Sequence, residues 1–211
     1  MLYVCMVTEN ICRQFVIGLR QTTFWEYMAV FLGIASTLFS KMENIWVYPT
    51  GIVSTAIYIF ISLEGALYAE AGLNVYYTLM SLYGWWLWTS KKAGGGGLHI
   101  SMNNTKEWMQ TVGFFLLMFG ALFFVLKRYT PSIVPVEDAF ASASAYTAMF
   151  LMNRKKVESW YWWILTDVVS MPLYFMKGYV FTMVQFFVFL AISIAGLRSW
   201  LKKYRQSKVL A

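Results

Sequence analysis

Long apolar runs separated by short charged breaks constrain this chain more than any other feature. Seven such runs are read, at Phe24–Ser40, Trp46–Leu63, Leu67–Trp88, Trp108–Leu126, Val136–Met152, Trp160–Phe175 and Tyr179–Leu201. About 20 apolar residues in a helix cross the ~30 Å hydrocarbon core of a bilayer. Inside lipid a backbone group has no water to bond to, so a spanning segment of this kind must be helical. The pattern predicts an all-α integral membrane protein with seven transmembrane helices. Only 13% of the residues are charged, against about 25% in a soluble domain. The net charge of +7 would suit nucleic acid if it were clustered on a soluble face. Here the basic residues fall between and after the apolar runs, which indicates membrane topology beside an anionic leaflet and no nucleic-acid partner.

The breaks divide the chain into segments. Residues 1–22 are mildly amphipathic and read as an interfacial segment, with no signal-peptide pattern. Residues 23–90 form a first three-helix unit, opened by the interfacial aromatics Trp25 and Tyr27, with Glu26 expected to be solvated. Glu64-Gly65-Ala66 makes a tight turn inside it. Residues 91–107, with Gly94 to Gly97, read as a flexible linker, because no Gly-Lys-Ser/Thr opens a helix there as a phosphate loop requires. A fourth helix occupies 108–130, a second three-helix unit 131–204, and a basic tail 205–211. Within the second unit the small residues from Ala141 to Ala145 suit close helix contact. Of the Lys and Arg residues, five fall on the side of the N-terminus and twelve on the side of the tail. Positive charge belongs in the cytoplasm, so the N-terminus is expected outside and the tail inside.

The two units look like copies. Laid over each other at an offset of 116, spans two and six match Trp46 with Trp162, Thr50 with Thr166, Val53 with Val169, Ser54 with Ser170 and Tyr58 with Tyr174. Spans three and seven share Gly84-x3-Trp88 and Gly196-x3-Trp200. An odd-numbered unit inserts its copy upside down, and the extra fourth span restores the orientation. The expectation is therefore a 3+1+3 arrangement whose units are related by an axis along the membrane normal, the parallel kind of transporter repeat.

Asp167 lies in the middle of span six. An ionisable group at that depth is costly and faces the bundle interior or a wet cavity, where it marks a pathway or bonds a neighbouring helix. Trp160, Trp163, Asp167, Ser170 and Tyr174 recur at helical spacing, so they share a face. Span three adds Asn74, Tyr77, Ser81, Gly84 and Trp88, and span seven adds Gln185, Phe189, Ser193, Gly196 and Trp200. Span two adds Ser54 and Tyr58, with Gly51 and Asn44 on the same face, while Tyr83 and Trp46 complete the candidate set at span ends. Indoles and a carboxylate together suit a small aromatic cation. An enzyme would want a second carboxylate, a histidine or a nucleophile near Asp167. The other acids near the spans sit at span ends and His99 in a linker. Cys5 and Cys12 supply neither a disulfide framework nor a metal site, and no cofactor is expected. Span seven has no lysine within Tyr179–Gly196 to bind retinal, and no channel filter motif is visible. A proton-coupled carrier using Asp167 stays open.

Several motifs together resemble the PnuC family of bacterial vitamin-precursor transporters. They are Leu67-Tyr-Ala, Tyr83-Gly-Trp85-x2-Trp88, Glu158-x-Trp160-x2-Trp163 and the Gly-x3-Trp close of span seven, and the likeness covers about residues 24–204. The resemblance implies a fold similar to the SWEET sugar transporters and a homotrimer in the bacterial inner membrane. It also implies facilitated diffusion of nicotinamide riboside for NAD synthesis, with trapping by a cytoplasmic kinase. Relatives carry thiamine or other nucleoside-like vitamins, so thiamine is the alternative. Some riboside carriers have an amide where this chain has Asp167; a carboxylate suits either cationic ring.

Overall fold

The computed structural model describes residues 22–64, 68–90, 98–130, 134–176 and 179–209, together with Arg13, Val16, Ile17, Leu19 and Arg20. Most of the N-terminal segment, Gly65 and Ala66 of the expected turn, Leu67, the four glycines and Pro131 lie outside the described residues. The described chain is all-helical. Its seven helices are α1 (Phe24–Met42), α2 (Val47–Glu64), α3 (Tyr68–Thr89), α4 (Thr105–Tyr129), α5 (Pro135–Asn153), α6 (Ser159–Met176) and α7 (Val180–Val209). By length and composition α2, α4 and α7 are apolar enough to cross a membrane. The shortest of the others, α6, has 18 residues, about 27 Å of helix, and it carries Asp167, Thr166 and Ser170 turned inward.

Helix starts follow local chemistry. Thr23 and Glu26 close a capping box on α1, with Thr23 N donating to Glu26 Oε2 at 2.6 Å and Glu26 N to Thr23 Oγ1 at 3.3 Å. Glu26 is therefore a capping residue and not simply a solvated boundary acid. Asn104 and Glu107 do the same for α4 at 2.9 Å each way, so that helix begins three residues earlier than its apolar run. The last part of the expected linker is tied down as well. Ser101 N donates to Lys155 O (3.1 Å), Val157 N to Ser101 O (3.0 Å), and Asn103 N to the buried carboxylate of Glu158 (2.8 Å). At the other end α7 runs on to Val209, so most of the expected tail is helix.

Helices α1, α2 and α3 pack in sequence, as do α5, α6 and α7, and α4 packs on α5. The two groups meet through α1 against α7 and α3 against α5. That adjacency is unchanged when α1, α2 and α3 are exchanged with α5, α6 and α7. The most enclosed element is α5, where Ala139, Ala141, Ala143, Ser144, Ala145, Tyr146, Thr147 and Ala148 are all buried. Small side chains let three neighbours approach its backbone closely.

Equivalent contacts recur at an offset of 112. Tyr48 meets Trp88 edge to face (5.2 Å, 88°), and Trp160 meets Trp200 in the same way (5.6 Å, 86°). A Cβ on Gly84 would strike Tyr48 and Asn153, and one on Gly196 would lie 2.5 Å from the Trp160 ring. The indole of Trp88 donates to Asn153 O at 3.1 Å and that of Trp200 to Ser40 O at 3.2 Å, so each reaches the C-terminal end of the other unit's first helix. Glu43 and Lys155 both adopt left-handed backbone, with φ of 62° and 53°. The expected register of 116 for spans two and six is thus one turn too long. A slip of four residues returns nearly the same helical face, which is why the sequence match is self-consistent at either offset.

Candidate substrate site

Asp167 sits mid-way along α6 and is 2% exposed. The Ser193 hydroxyl of α7, equally buried, donates to its Oδ2 at 2.9 Å. Among the described residues Asp167 has no cationic partner; a neutral hydroxyl compensates the carboxylate only in part. In the first unit the corresponding residue is Thr55, whose hydroxyl meets that of Thr78 at 2.7 Å. The charge therefore makes the two units inequivalent at their centre. Five residues further along α6 comes Pro172. It cannot donate to the Val168 carbonyl, which weakens the helix ladder just past Asp167.

Tyr77 links this point to a group of tyrosines on α3, α5 and α6. Tyr77 of α3 lies in electrostatic reach of Asp167, Tyr174 and Tyr146. The rings of Tyr76 and Tyr146 lie 4.0 Å apart at 31°, and the Tyr76 hydroxyl donates to the Tyr146 carbonyl at 3.3 Å. Tyr77 stands edge-on to Tyr146 at 6.0 Å. Tyr58 of α2 faces Gln185 of α7, and Tyr174 stacks on Phe186 at 5.2 Å. A carboxylate, hydroxyls and ring faces thus converge from α2, α3, α5, α6 and α7. Such a set can hold a planar ring by its faces and a positive charge by Asp167. Among the described residues, no group of three or more His, Cys, Asp or Glu could hold a metal ion.

The arrangement gathers Asp167, Ser170, Tyr174, Tyr77, Tyr58 and Gln185 from the expected set, and buries Ser81 beside Gly51. Others fall elsewhere. Trp160 lies about 10 Å along α6 from Asp167 and packs with Trp200, Val157 and Met152, while Trp163 leans on the same cluster. The indoles do share a helical face with Asp167, and it is their packing on this core cluster, not their distance along the helix, that sets them apart from it. Tyr83 is 41% exposed and leans on Trp86. It lies about 200° around the helix from Ser81, on the outer face. Trp46 is exposed before α2. Asn74 spends its side-chain donor on Glu70 O of its own helix (2.9 Å). Ser54 bonds Ala29 O (2.7 Å) and fastens α2 to α1. Sequence reasoning misses Tyr76 and Tyr146. The available signal is Tyr146 standing as the one large residue in a run of Ala, Ser and Thr.

A family model for nicotinamide mononucleotide transporters matches residues 23–202. The riboflavin/roseoflavin transporter RibM of Streptomyces davaonensis is 28% identical over 182 residues, covering 84% of each chain. The nicotinamide riboside transporter PnuC of Escherichia coli is 20% identical over 206 residues, covering 86% of each. The fold is that of a crystal structure of the vitamin B3 transporter PnuC, with a TM-score of 0.72 at 20% identity, over 98% of this chain and 93% of that one. The family match runs from the cap of α1 into α7 and so takes in the whole bundle: the chain belongs to the PnuC family of multi-pass membrane transporters, which are not enzymes.

Proposed function

We propose that the chain takes up nicotinamide riboside through the bacterial inner membrane by facilitated diffusion, a cytoplasmic kinase trapping the product. The observation that carries this reading is Asp167, a carboxylate buried at the centre with a hydroxyl as its partner and Tyr77 within electrostatic reach. The riboside carries a cationic pyridinium ring. A buried anion without a counter-charge favours a ligand that brings one, and ring faces add about 0.5–2 kcal/mol each. The 20% identity to a nicotinamide riboside transporter supports the same class. Thiamine, also cationic, fits the same argument.

A second reading, flavin uptake, is favoured by the 28% identity to a riboflavin transporter. An isoalloxazine is larger and neutral, so it would gain from the stacked rings but not from the charge. Calorimetry of the purified protein with nicotinamide riboside, thiamine and riboflavin separates the three. Heat with the riboside alone supports the reading; heat with riboflavin alone replaces it by the second.

Uncoupled transport predicts that labelled riboside equilibrates across proteoliposomes and stops at equal concentrations. Accumulation driven by a proton gradient, with no kinase present, would convert the mechanism to coupled transport through Asp167. The resemblance to the family further supports a homotrimer with one path per subunit, and the bias of Lys and Arg to one side supports a cytoplasmic C-terminus.

A further inference from the structure

Two positions related by a two-fold rotation can touch only beside the axis. Three pairs at the offset of 112 do touch, and all three are at the same end of the bundle. The Ser40 hydroxyl donates to Met152 Sδ at 3.0 Å, the Trp88 and Trp200 rings lie 6.4 Å apart, and Lys155 Nζ lies 2.6 Å from Glu43 Oε1. The structure assigns Glu43 and Lys155, with Lys203, as the closing contact of the transport path at this end: the path opens there only when the ion pair parts. This rests on the chain being a transporter, and not on which vitamin it carries.

The surroundings fit a contact built to hold and to release. Lys203 Nζ reaches Glu43 Oε2 at 3.1 Å, so one carboxylate ties α7 and the α5–α6 junction to the end of α1. The Lys155 ammonium also lies 4.4 Å from the centre of the Trp88 ring. Glu43 and Lys155 end their helices alike, Glu43 N donating to Ser40 O (3.0 Å) and Lys155 N to Met152 O (2.9 Å). Left-handed backbone is disfavoured for both residue types, yet it aims both side chains at each other. Burial pushes the Glu43 carboxyl up, and the hydrogen bonds and charges of Lys155 and Lys203 more than reverse this, holding it below the usual range and ionised. One turn inward the Ser40–Met152 layer and the Trp200 indole are buried, so the charged layer caps an apolar seal. Both residues lie on the side rich in Lys and Arg, which belongs in the cytoplasm. A substrate passing between the two units along their axis has to cross these layers.

The test is side-specific thiol accessibility in oriented vesicles. Cys5 and Cys12 are replaced by Ser, and Ser81→Cys, placed beside Gly51, reports the interior to a membrane-impermeant maleimide. Asn tolerates left-handed backbone, so Glu43→Asn and Lys155→Asn remove charge without straining the cap. Each is expected to raise the labelling rate from the basic side only, about tenfold for Glu43→Asn, which loses the pairs to both lysines, and less for Lys155→Asn, which leaves Lys203 on Glu43; the double variant should match Glu43→Asn. In a second protein, Glu43→Cys with Lys155→Cys is tethered by a short bifunctional methanethiosulfonate. Labelling from the basic side should stop and return on reduction. Labelling unchanged by both the tether and the single substitutions would overturn the assignment, as would an equal rise from the two sides. No substrate is needed, so failure to carry the riboside would refute that reading and leave this one standing.

Discussion

Replacing Gly196 with Ala tests how tightly the two halves of the second unit are keyed together. In an exposed helix the change would stabilise by up to about 1 kcal/mol, because Ala has the higher helix propensity. At Gly196 the new methyl would sit 2.5–2.6 Å from three carbons of the Trp160 ring, against about 3.5–4.0 Å for a comfortable carbon–carbon contact. The ring or the helix must therefore retreat by about 1 Å. Trp160 is wholly buried and wedged against Trp200, Val157 and Met152, so it has nowhere to turn. Overpacking of this kind costs about 1–3 kcal/mol, more than the propensity gain at its upper end. A chain of this size loses about 2–4 °C of melting temperature per kcal/mol, so Gly196→Ala should melt several degrees lower in detergent. Gly113→Ala and Gly120→Ala are the controls, since a Cβ at either meets nothing within 4 Å, and they should melt at or above the wild-type temperature. On a Trp160→Leu background Gly196→Ala should cost less melting temperature than it does on the wild type, because the ring that the methyl strikes is gone. Equal melting temperatures for Gly196→Ala and Gly113→Ala would refute the packing argument.

Three further outcomes are expected. Asp167→Asn keeps the Ser193 contact but removes the charge, so it should weaken nicotinamide riboside binding by about 1–3 kcal/mol and an uncharged analogue far less; equal losses with a lowered melting temperature would make Asp167 scaffolding. Tyr146→Phe keeps the ring against Tyr76 and should bind as wild type, whereas Tyr146→Leu should lose about 0.5–1.5 kcal/mol with the aromatic pair, measured by calorimetry with the same ligand. The Glu43 carboxyl is held below its unfolded value of about 4.3, so its stabilising contribution is complete above that pH and lost as pH falls through the lower folded value. The difference in melting temperature between wild type and Glu43→Asn should therefore shrink on acidification below about pH 4. A constant difference down to pH 3 would show that the pair contributes nothing through charge.

Apolar run length determines the class and the helix count, because hydrocarbon thickness sets how many residues must be apolar in a row. The breaks between runs lie close to the observed helix ends, and a carboxylate inside a run, Asp167, marks the centre of the bundle from the amino-acid order alone. Local chemistry moves some ends: Asn104 and Glu107 cap α4 before its apolar run begins, and α7 continues as helix through its basic residues. What periodicity does not decide is depth along a helix and the sliding of one helix against its copy. Residues four apart share a face, so Trp160, Trp163 and Asp167 look like neighbours, and a repeat register one turn off keeps its identities. Only the packed bundle, in which Gly196 admits the Trp160 ring and Glu43 meets Lys155 across the two units, separates the indoles from the carboxylate and fixes the register. The physical reason is that a face is a local property of one helix, whereas height and partner are settled by which side chains interlock between helices.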